Sequence, residues 1–222
     1  AVEDFVAGHL AAVAGAAAIV ATPVISIIPQ PWTFYVSTAG NDANNGLSPD
    51  ATTANTNKPF LTVGKTMNTG SRILPGDTIY ISPGYFYSEA LIPLATISSV
   101  ALPTSWIGDP TNKQGFTDSS VVALAAGIPW VTTRTAAEGI DASMAAVTTN
   151  LILAVTSDPS GMQFRYLAME TSLTGFPIWA SDGNGSTDIL FQDCYLIAST
   201  VIILSTGTPT AARNITVRRC IL

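Results

Sequence analysis

Three segments in the C-terminal part of the chain share one pattern of apolar and polar positions. They cover residues 162–169, 189–196 and 215–222, so that equivalent positions are 27 and then 26 residues apart. In each segment the first and third positions are apolar, two mostly polar residues follow, and a Leu or Cys precedes further apolar positions. Other apolar runs lie between the segments, at 176–179 and 201–204. Each repeat unit is therefore predicted to hold at least two short strands separated by polar turns.

The rest of the chain after Trp32 alternates short β-branched runs with clusters of turn residues, which predicts more strands. The runs predicted as strands are 34–37, 77–82, 120–124, 150–155, 189–192, 201–204 and 215–219. One short helix is predicted at 61–69, after Pro59. A second, rich in alanine, is predicted at 3–20 and ends before Pro23, because alanine is the best helix former and proline breaks helices.

The length of the repeat predicts how the units are arranged. A unit of 26 or 27 residues cannot bury its own apolar face, so it must stack on the next unit, with parallel strands ~4.8 Å apart. Equivalent residues then form rows, and Leu167, Cys194 and Cys220 make one such row inside the stack. Both cysteines are interpreted as small buried apolar residues, with a disulfide between neighbouring units as the alternative. Asp193 and Arg219, 26 positions apart, are expected to form an outward ion pair.

The first part of the chain contains a series of motifs that is typical of a known protein family. Its Phe-Tyr-Val-Ser strand at 34–37 is followed by a Gly-Asn-Asp loop, by Lys-Pro-Phe at 58–60, and by Gly-Asp-Thr-Ile-Tyr-Ile-Ser-Pro-Gly at 76–84. These motifs resemble the opening of the right-handed parallel β-helix proteins of the pectate-lyase-like superfamily. The resemblance implies an all-β, single-stranded, right-handed β-helix (a solenoid) over 32–222, with the helix at 61–69 capping it. Residues 1–31 are then expected to form an apolar helical segment for anchoring or oligomerisation.

Composition and charge exclude several classes of protein. Hydrophobic residues make up 47% of the 222 residues and charged residues only 11%, whereas disordered chains are poor in apolar residues and rich in charge. A net charge of −6 argues against a nucleic-acid binder. One histidine and two cysteines do not make a zinc site, and no cofactor is expected.

The N-terminal segment is not expected to cross a membrane or to act as a secretory signal. Its apolar run contains His9 and two glycines and is followed by Pro23, whereas a bilayer-spanning helix needs ~20 apolar residues. No Lys or Arg precedes Lys58, so the basic start of a signal peptide is missing.

Candidate catalytic residues come from the chemistry of β-helix enzymes, which use carboxylates or a basic residue with calcium. The carboxylates considered are Glu138, Asp141, Glu170, Asp182, Asp188 and Asp193. Glu138, Asp141 and Asp193 are retained as weak candidates, although solvated loop carboxylates and a structural ion pair are the favoured interpretations. A lyase base would be Arg218 or Arg219.

A metal site is considered in the loop at 41–50. Asp42, Asn44 and Asp50 supply alternating oxygen ligands of the kind calcium prefers, but the bidentate Glu of an EF-hand is missing. A turn built on Asn and Gly is the favoured interpretation.

Function is predicted from the resemblance. It implies a structural virion protein of a tailed phage, such as a tailspike, a fibre or a capsid-decoration protein, located on the virion. Such proteins are typically homotrimers, and residues 1–31 would contact capsid or tail proteins. Surface glycans are a further expected partner, and the aromatic residues considered for stacking on sugars, with core packing favoured for most, are Tyr85, Phe86, Tyr87, Trp106, Trp130 and Trp179. The alternatives are an extracellular polysaccharide lyase or glycosidase, and a cell-surface adhesin or filament subunit.

Overall fold

The described part of the chain is mostly β-structure. The computed structural model describes residues 31–52, 54, 56–86, 89–117, 129–132, 152–154, 159–171, 178–181, 188–198, 203–205 and 214–222. Its strands are β1 (Thr33–Val36), β2 (Thr78–Ile81), β3 (Tyr85–Phe86), β4 (Thr104–Gly108), β5 (Trp130–Thr132), β6 (Ile152–Ala154), β7 (Met162–Arg165), β8 (Ala168–Glu170), β9 (Trp179–Ser181), β10 (Ile189–Gln192), β11 (Tyr195–Ile197), β12 (Ile203–Ser205) and β13 (Ile215–Arg218). The helix predicted at 3–20 and the strand predicted at 120–124 lie outside the described residues.

These strands form three sheets in which every described pairing between strands is parallel. The largest is six-stranded, in the order β1-β2-β4-β7-β10-β13, and the others have the orders β11-β8-β5-β3 and β12-β9-β6. From β4 to β12 the chain visits the six-stranded, the four-stranded and the three-stranded sheet in turn, three times over. The predicted parallel strands are therefore confirmed.

Alternating side chains of the six-stranded sheet are buried, and they stack from strand to strand. The central set, called the inner row, consists of Phe34, Ile79, Trp106, Phe164, Phe191 and Val217. The first five are buried, and Val217 on the last strand is exposed. The Trp106 and Phe164 rings stack with centroids 5.4 Å apart, and the Phe164 and Phe191 rings with centroids 5.1 Å apart. Aromatic stacking adds to the energy of burial, so these two contacts help to hold β4, β7 and β10 together.

The predicted row of Leu167, Cys194 and Cys220 is also present. Tyr195 pairs with Ala168 on one side and with Ile221 on the other, which places the three preceding residues side by side. Leu167 and Cys194 are buried and Cys220 is half-buried. Both cysteines are free thiols, so the disulfide alternative is wrong. Burial raises the pKa of the Cys194 thiol to about 12, which keeps it protonated and unreactive.

The helix predicted at 61–69 is wrong. Only a 3₁₀ turn forms there, at Gly64–Thr66. Asp42 accepts from the N–H groups of residues 61 and 62, and Glu89 from those of residues 63 and 64, at 2.8–3.0 Å, so both carboxylates cap the start of the turn. Beyond the turn the chain bonds to a distant segment instead of continuing as a helix: the Met67 carbonyl accepts from Leu94 N–H, and the Asn68 side chain bonds to the backbone of Ala90 and Ile92. A glycine and β-branched neighbours also disfavour a longer helix.

Apolar side chains of this irregular segment contribute to the core although the predicted helix is absent. Phe60, Val63 and Met67 are buried in the same cluster as the inner row. The indole Nε1 of Trp106 donates a hydrogen bond to Thr66 Oγ1 at 2.9 Å, which fixes the 3₁₀ turn to the six-stranded sheet.

No helix in the described ranges is long and apolar enough to cross a bilayer.

Candidate functional site

The outward face of the six-stranded sheet carries a cleft of about 400 Å³. This volume lies in the ~300–1,000 Å³ range that is usual for ligand pockets. The outward side chains that pair between strands, called the outer row, are Tyr35, Tyr80, Ile107, Arg165, Gln192 and Arg218. Tyr80 and Ile107 of the outer row form part of the lining, which is completed by Gly108, Asp109, Pro110, Thr111, Lys113, Gln114 and Tyr166.

A compact loop that follows β4 builds one wall of the cleft. Both carboxylate oxygens of Asp109 accept backbone N–H groups, from Lys113 at 2.9 Å and from Gln114 at 2.7 Å. The Asn112 amide exchanges two further hydrogen bonds with the backbone of Phe116, at 2.8 and 2.9 Å. The wall is therefore folded by its own side chains before any ligand arrives, which lowers the entropic cost of binding.

The loop is also attached to the sheet by aromatic contacts. The Phe116 ring is buried and meets the Tyr35 ring edge-on, with centroids 5.9 Å apart. Tyr35 in turn stacks on Tyr80 with centroids 6.2 Å apart. The Tyr80 ring is thereby held at the edge of the cleft by its contact with the Tyr35 ring.

The opposite edge of the cleft is Tyr166, whose side chain is 43% exposed. Its backbone has a φ of 54°, in the left-handed region, and Asp193 and Arg219 share this conformation at the equivalent position after β10 and β13. In the neighbouring strand this position is Gly108, where an added Cβ would lie 1.9 Å from the Tyr166 carbonyl oxygen. Glycine is therefore required at 108 by the close approach of the Tyr166 backbone, and the Ile107 side chain lies between the two tyrosines in the cleft.

The predicted outward ion pair of Asp193 and Arg219 is present. Arg219 Nε and Nη2 each donate to one carboxylate oxygen of Asp193, both at 2.6 Å. These hydrogen bonds, and a weaker one from Gln192, lower the pKa of Asp193 to about 2. A carboxylate held in this way stays ionised and is poorly suited to act as a general acid.

We expect Arg219→Ala to raise the pKa of Asp193 towards its ordinary value of 3.8, because the two charge-assisted hydrogen bonds are lost. A ¹³C NMR titration of the carboxyl group measures the change. Because the pKa is lower in the folded chain, the stabilisation is present above pH 3.8 and is lost as the pH falls through about 2. Arg218→Ala is the matched control and should move the pKa less. An unchanged titration in Arg219→Ala would contradict the prediction.

The other candidate carboxylates do not assemble into a pair among the described residues. Asp188 and Asp193 flank opposite ends of β10, roughly 16 Å apart along the strand, and a glycosidase needs two carboxyl groups ~5–9.5 Å apart. Asp188 accepts a hydrogen bond from Asn214 at 3.0 Å, and Glu170 is buried. Glu138, Asp141 and Asp182 lie outside the described residues.

The side chains of the candidate metal ligands form hydrogen bonds with different parts of the protein. Asp42 accepts from the turn at 61–62, and Asp50 accepts from Thr52 and Thr117. The Asn44 amide donates to the Pro59 carbonyl at 2.8 Å. Within the ranges the structure describes, no group of three His, Cys, Asp or Glu side chains is placed to hold a metal ion.

The aromatic residues considered for sugar stacking do not line the cleft on the six-stranded sheet. Trp106, Trp179 and Phe86 are buried and Tyr85 is half-buried, whereas Tyr87 and the side chain of Trp130 lie outside the described part of the structure. Sequence reasoning missed Tyr80 and Tyr166. The available indications were that Tyr80 alternates with two isoleucines, and that Tyr166 occupies the repeat position of the outward Asp193 and Arg219.

Comparison with known protein families, with curated proteins and with solved structures finds no match to this chain.

Proposed function

We propose that the three sheets close into a right-handed, single-stranded parallel β-helix. The support is the cyclic order in which the chain visits the sheets, together with the pairing of strands one repeat apart. Parallel connections within one sheet are right-handed in ~98% of cases, which supports the hand. In this arrangement each pass through the three sheets is one rung, and the inner row runs along the axis of a rod.

Such a rod serves as a structural appendage of a particle, in attachment or in decoration. The single observation that carries this proposal is the continuous inner row across six strands, buried from β1 to β10, which supports a stiff body. The resemblance to β-helix proteins of tailed phages makes a virion the proposed location and a homotrimer the proposed assembly. Residues 1–31 are the proposed contact with capsid or tail proteins.

The test is whether the native chain co-purifies with virus particles. We expect it to sediment with intact particles in a density gradient, and electron microscopy with antibody against residues 31–222 should label one fixed position on each particle. A version lacking residues 1–30 should fold but remain unattached. A chain found free in the medium, with no particle and with activity that cleaves polysaccharides, would overturn the proposal.

A further inference from the structure

We propose that Glu89 is a pH-dependent gate between two clefts beside the 3₁₀ turn at Gly64–Thr66, closed in acid and opening as the pH rises above neutrality. The gate is a conformational device of the fold, and it does not depend on the attachment role proposed above. Its parts are the Glu89 carboxyl group, the turn that this group caps, and the segment 89–94 that carries it.

The two clefts share a partition. One measures about 220 Å³ and is lined in part by Phe86, which is buried, and the other measures about 350 Å³ and is lined mostly by polar residues of the turn. Thr62 and Glu89 line both clefts. Thr62 is fixed in place, because its N–H and its hydroxyl both donate to the Asp42 carboxylate, at 3.0 and 2.7 Å. Glu89 is therefore the part of the partition that can move, and its movement joins the two clefts.

A pair of hydrogen bonds closes the gate. Glu89 is only 4% exposed, and its carboxyl oxygens accept Val63 N–H at 2.8 Å and Gly64 N–H at 3.0 Å. Both donors belong to the start of the turn, so that opening the gate exposes them to water. The clefts also give water access to the carboxyl group, which allows this buried acid to exchange its proton.

The rest of the segment stays anchored when the carboxyl group swings out. Residues 89–94 follow β3 and lie outside the strands. The Asn68 side-chain amide donates to the Ala90 carbonyl at 3.0 Å and accepts Ile92 N–H at 2.7 Å, and the intervening Leu91 is buried. The opening is therefore a local one, confined to the gate and the turn.

The charges around the gate set the direction of its response. Asp42 and Lys65 line the polar cleft together with Glu89, and Tyr85 lines the other cleft. Burial raises the pKa of Glu89 to about 7, the two backbone N–H groups oppose this rise, and the negative charge of Asp42 adds to it. A released carboxyl group returns to its ordinary pKa of 4.5. The open state holds its proton less tightly and is therefore favoured as the pH rises.

Amide hydrogen exchange, followed by NMR on the whole chain from pH 5 to pH 8.5, tests the gate. After correction for the intrinsic pH dependence of exchange, we expect Val63 and Gly64 to lose roughly 70-fold in protection over this range, as pKa values of 4.5 and about 7 require. In Glu89→Gln, which does not titrate, their protection should stay constant. The matched control is Glu170→Gln, because Glu170 is also 4% exposed but does not line either cleft. This control should behave like the unmodified chain.

Urea separates the gate from unfolding of the whole chain. A local opening exposes little surface, so low urea concentrations should leave the protection of Val63 and Gly64 unchanged while they accelerate the exchange of Phe164 in β7. This comparison needs only the unmodified chain, so it decides the matter even where a variant fails to fold. Protection of Val63 and Gly64 that is independent of pH, that depends on pH equally in Glu89→Gln, or that follows Phe164 in urea would overturn the inference.

Discussion

Replacing Phe164 with alanine should lower the free energy of unfolding by about 3–5 kcal/mol, the range typical for a fully buried phenylalanine. Phe164 is completely buried and is stacked on both sides, by Trp106 at 5.4 Å and by Phe191 at 5.1 Å between ring centroids. Its removal leaves a cavity in the middle of the inner row and ends two aromatic stacks at once. Urea denaturation followed by circular dichroism measures the loss.

The control for this prediction is Val217→Ala, in the same inner row but on β13. Val217 is 39% exposed, so its truncation should cost no more than about 1 kcal/mol. Phe164→Leu fills most of the cavity without a ring and should fall between the two, which keeps the test usable if the alanine variant fails to fold. Equal losses in Phe164→Ala and Val217→Ala would show that the inner row is not the main source of stability.

The second large effect concerns pH and Glu89. Burial raises the pKa of the Glu89 carboxyl to about 7, against an opposing effect of the two backbone N–H groups that it accepts. A carboxyl group with a higher pKa in the folded chain contributes stability that is fully present below pH 4.5 and is lost as the pH rises through about 7. At ~1.4 kcal/mol for each pKa unit, the loss over this window is about 3 kcal/mol.

Glu89→Gln isolates this contribution because glutamine does not titrate. We expect the difference in unfolding free energy between the unmodified chain and this variant to fall by about 3 kcal/mol between pH 4.5 and 7.5. Taking the difference removes the background from other acidic groups, among them the nearby Asp42. A difference that stays flat across this window would refute the prediction. Glu89→Ala, which leaves the N–H groups of Val63 and Gly64 without their acceptor, should be less stable than Glu89→Gln throughout.

Features that follow from the repeat could be predicted from the sequence. The spacing of 27 and 26 residues placed β7, β10 and β13 side by side, and it put Cys194 beside Leu167 and Arg219 beside Asp193. These predictions succeed because a row of equivalent residues needs only the length of the repeat, and alternation along a strand determines which side chains point inward.

Features that depend on contacts between distant segments could not be predicted. The segment at 61–69 looks helical by itself, but its end bonds to a distant segment, where the Asn68 side chain contacts the backbone of Ala90 and Ile92. The cleft requires Tyr80 and Tyr166 to line one cavity although they are 86 positions apart, and this arrangement depends on the pairing of β4 with β7 across a long connection. Neither contact leaves a periodic pattern in the sequence, since each arises once.

The pairing of β4 with β7 has a consequence for how such a protein can evolve. Ser105 pairs with Gln163 across 58 positions, whereas Thr78 pairs with Ser105, and Gln163 with Leu190, across 27. The sheet accepts both separations, so a connection can be lengthened, shortened or exchanged while the strands keep their partners. A single insertion within a strand has the opposite effect, because it turns the inward residues outward. Natural variation is therefore expected to accumulate as whole connecting loops, and a lineage can acquire a new binding specificity without redesigning the body that carries it.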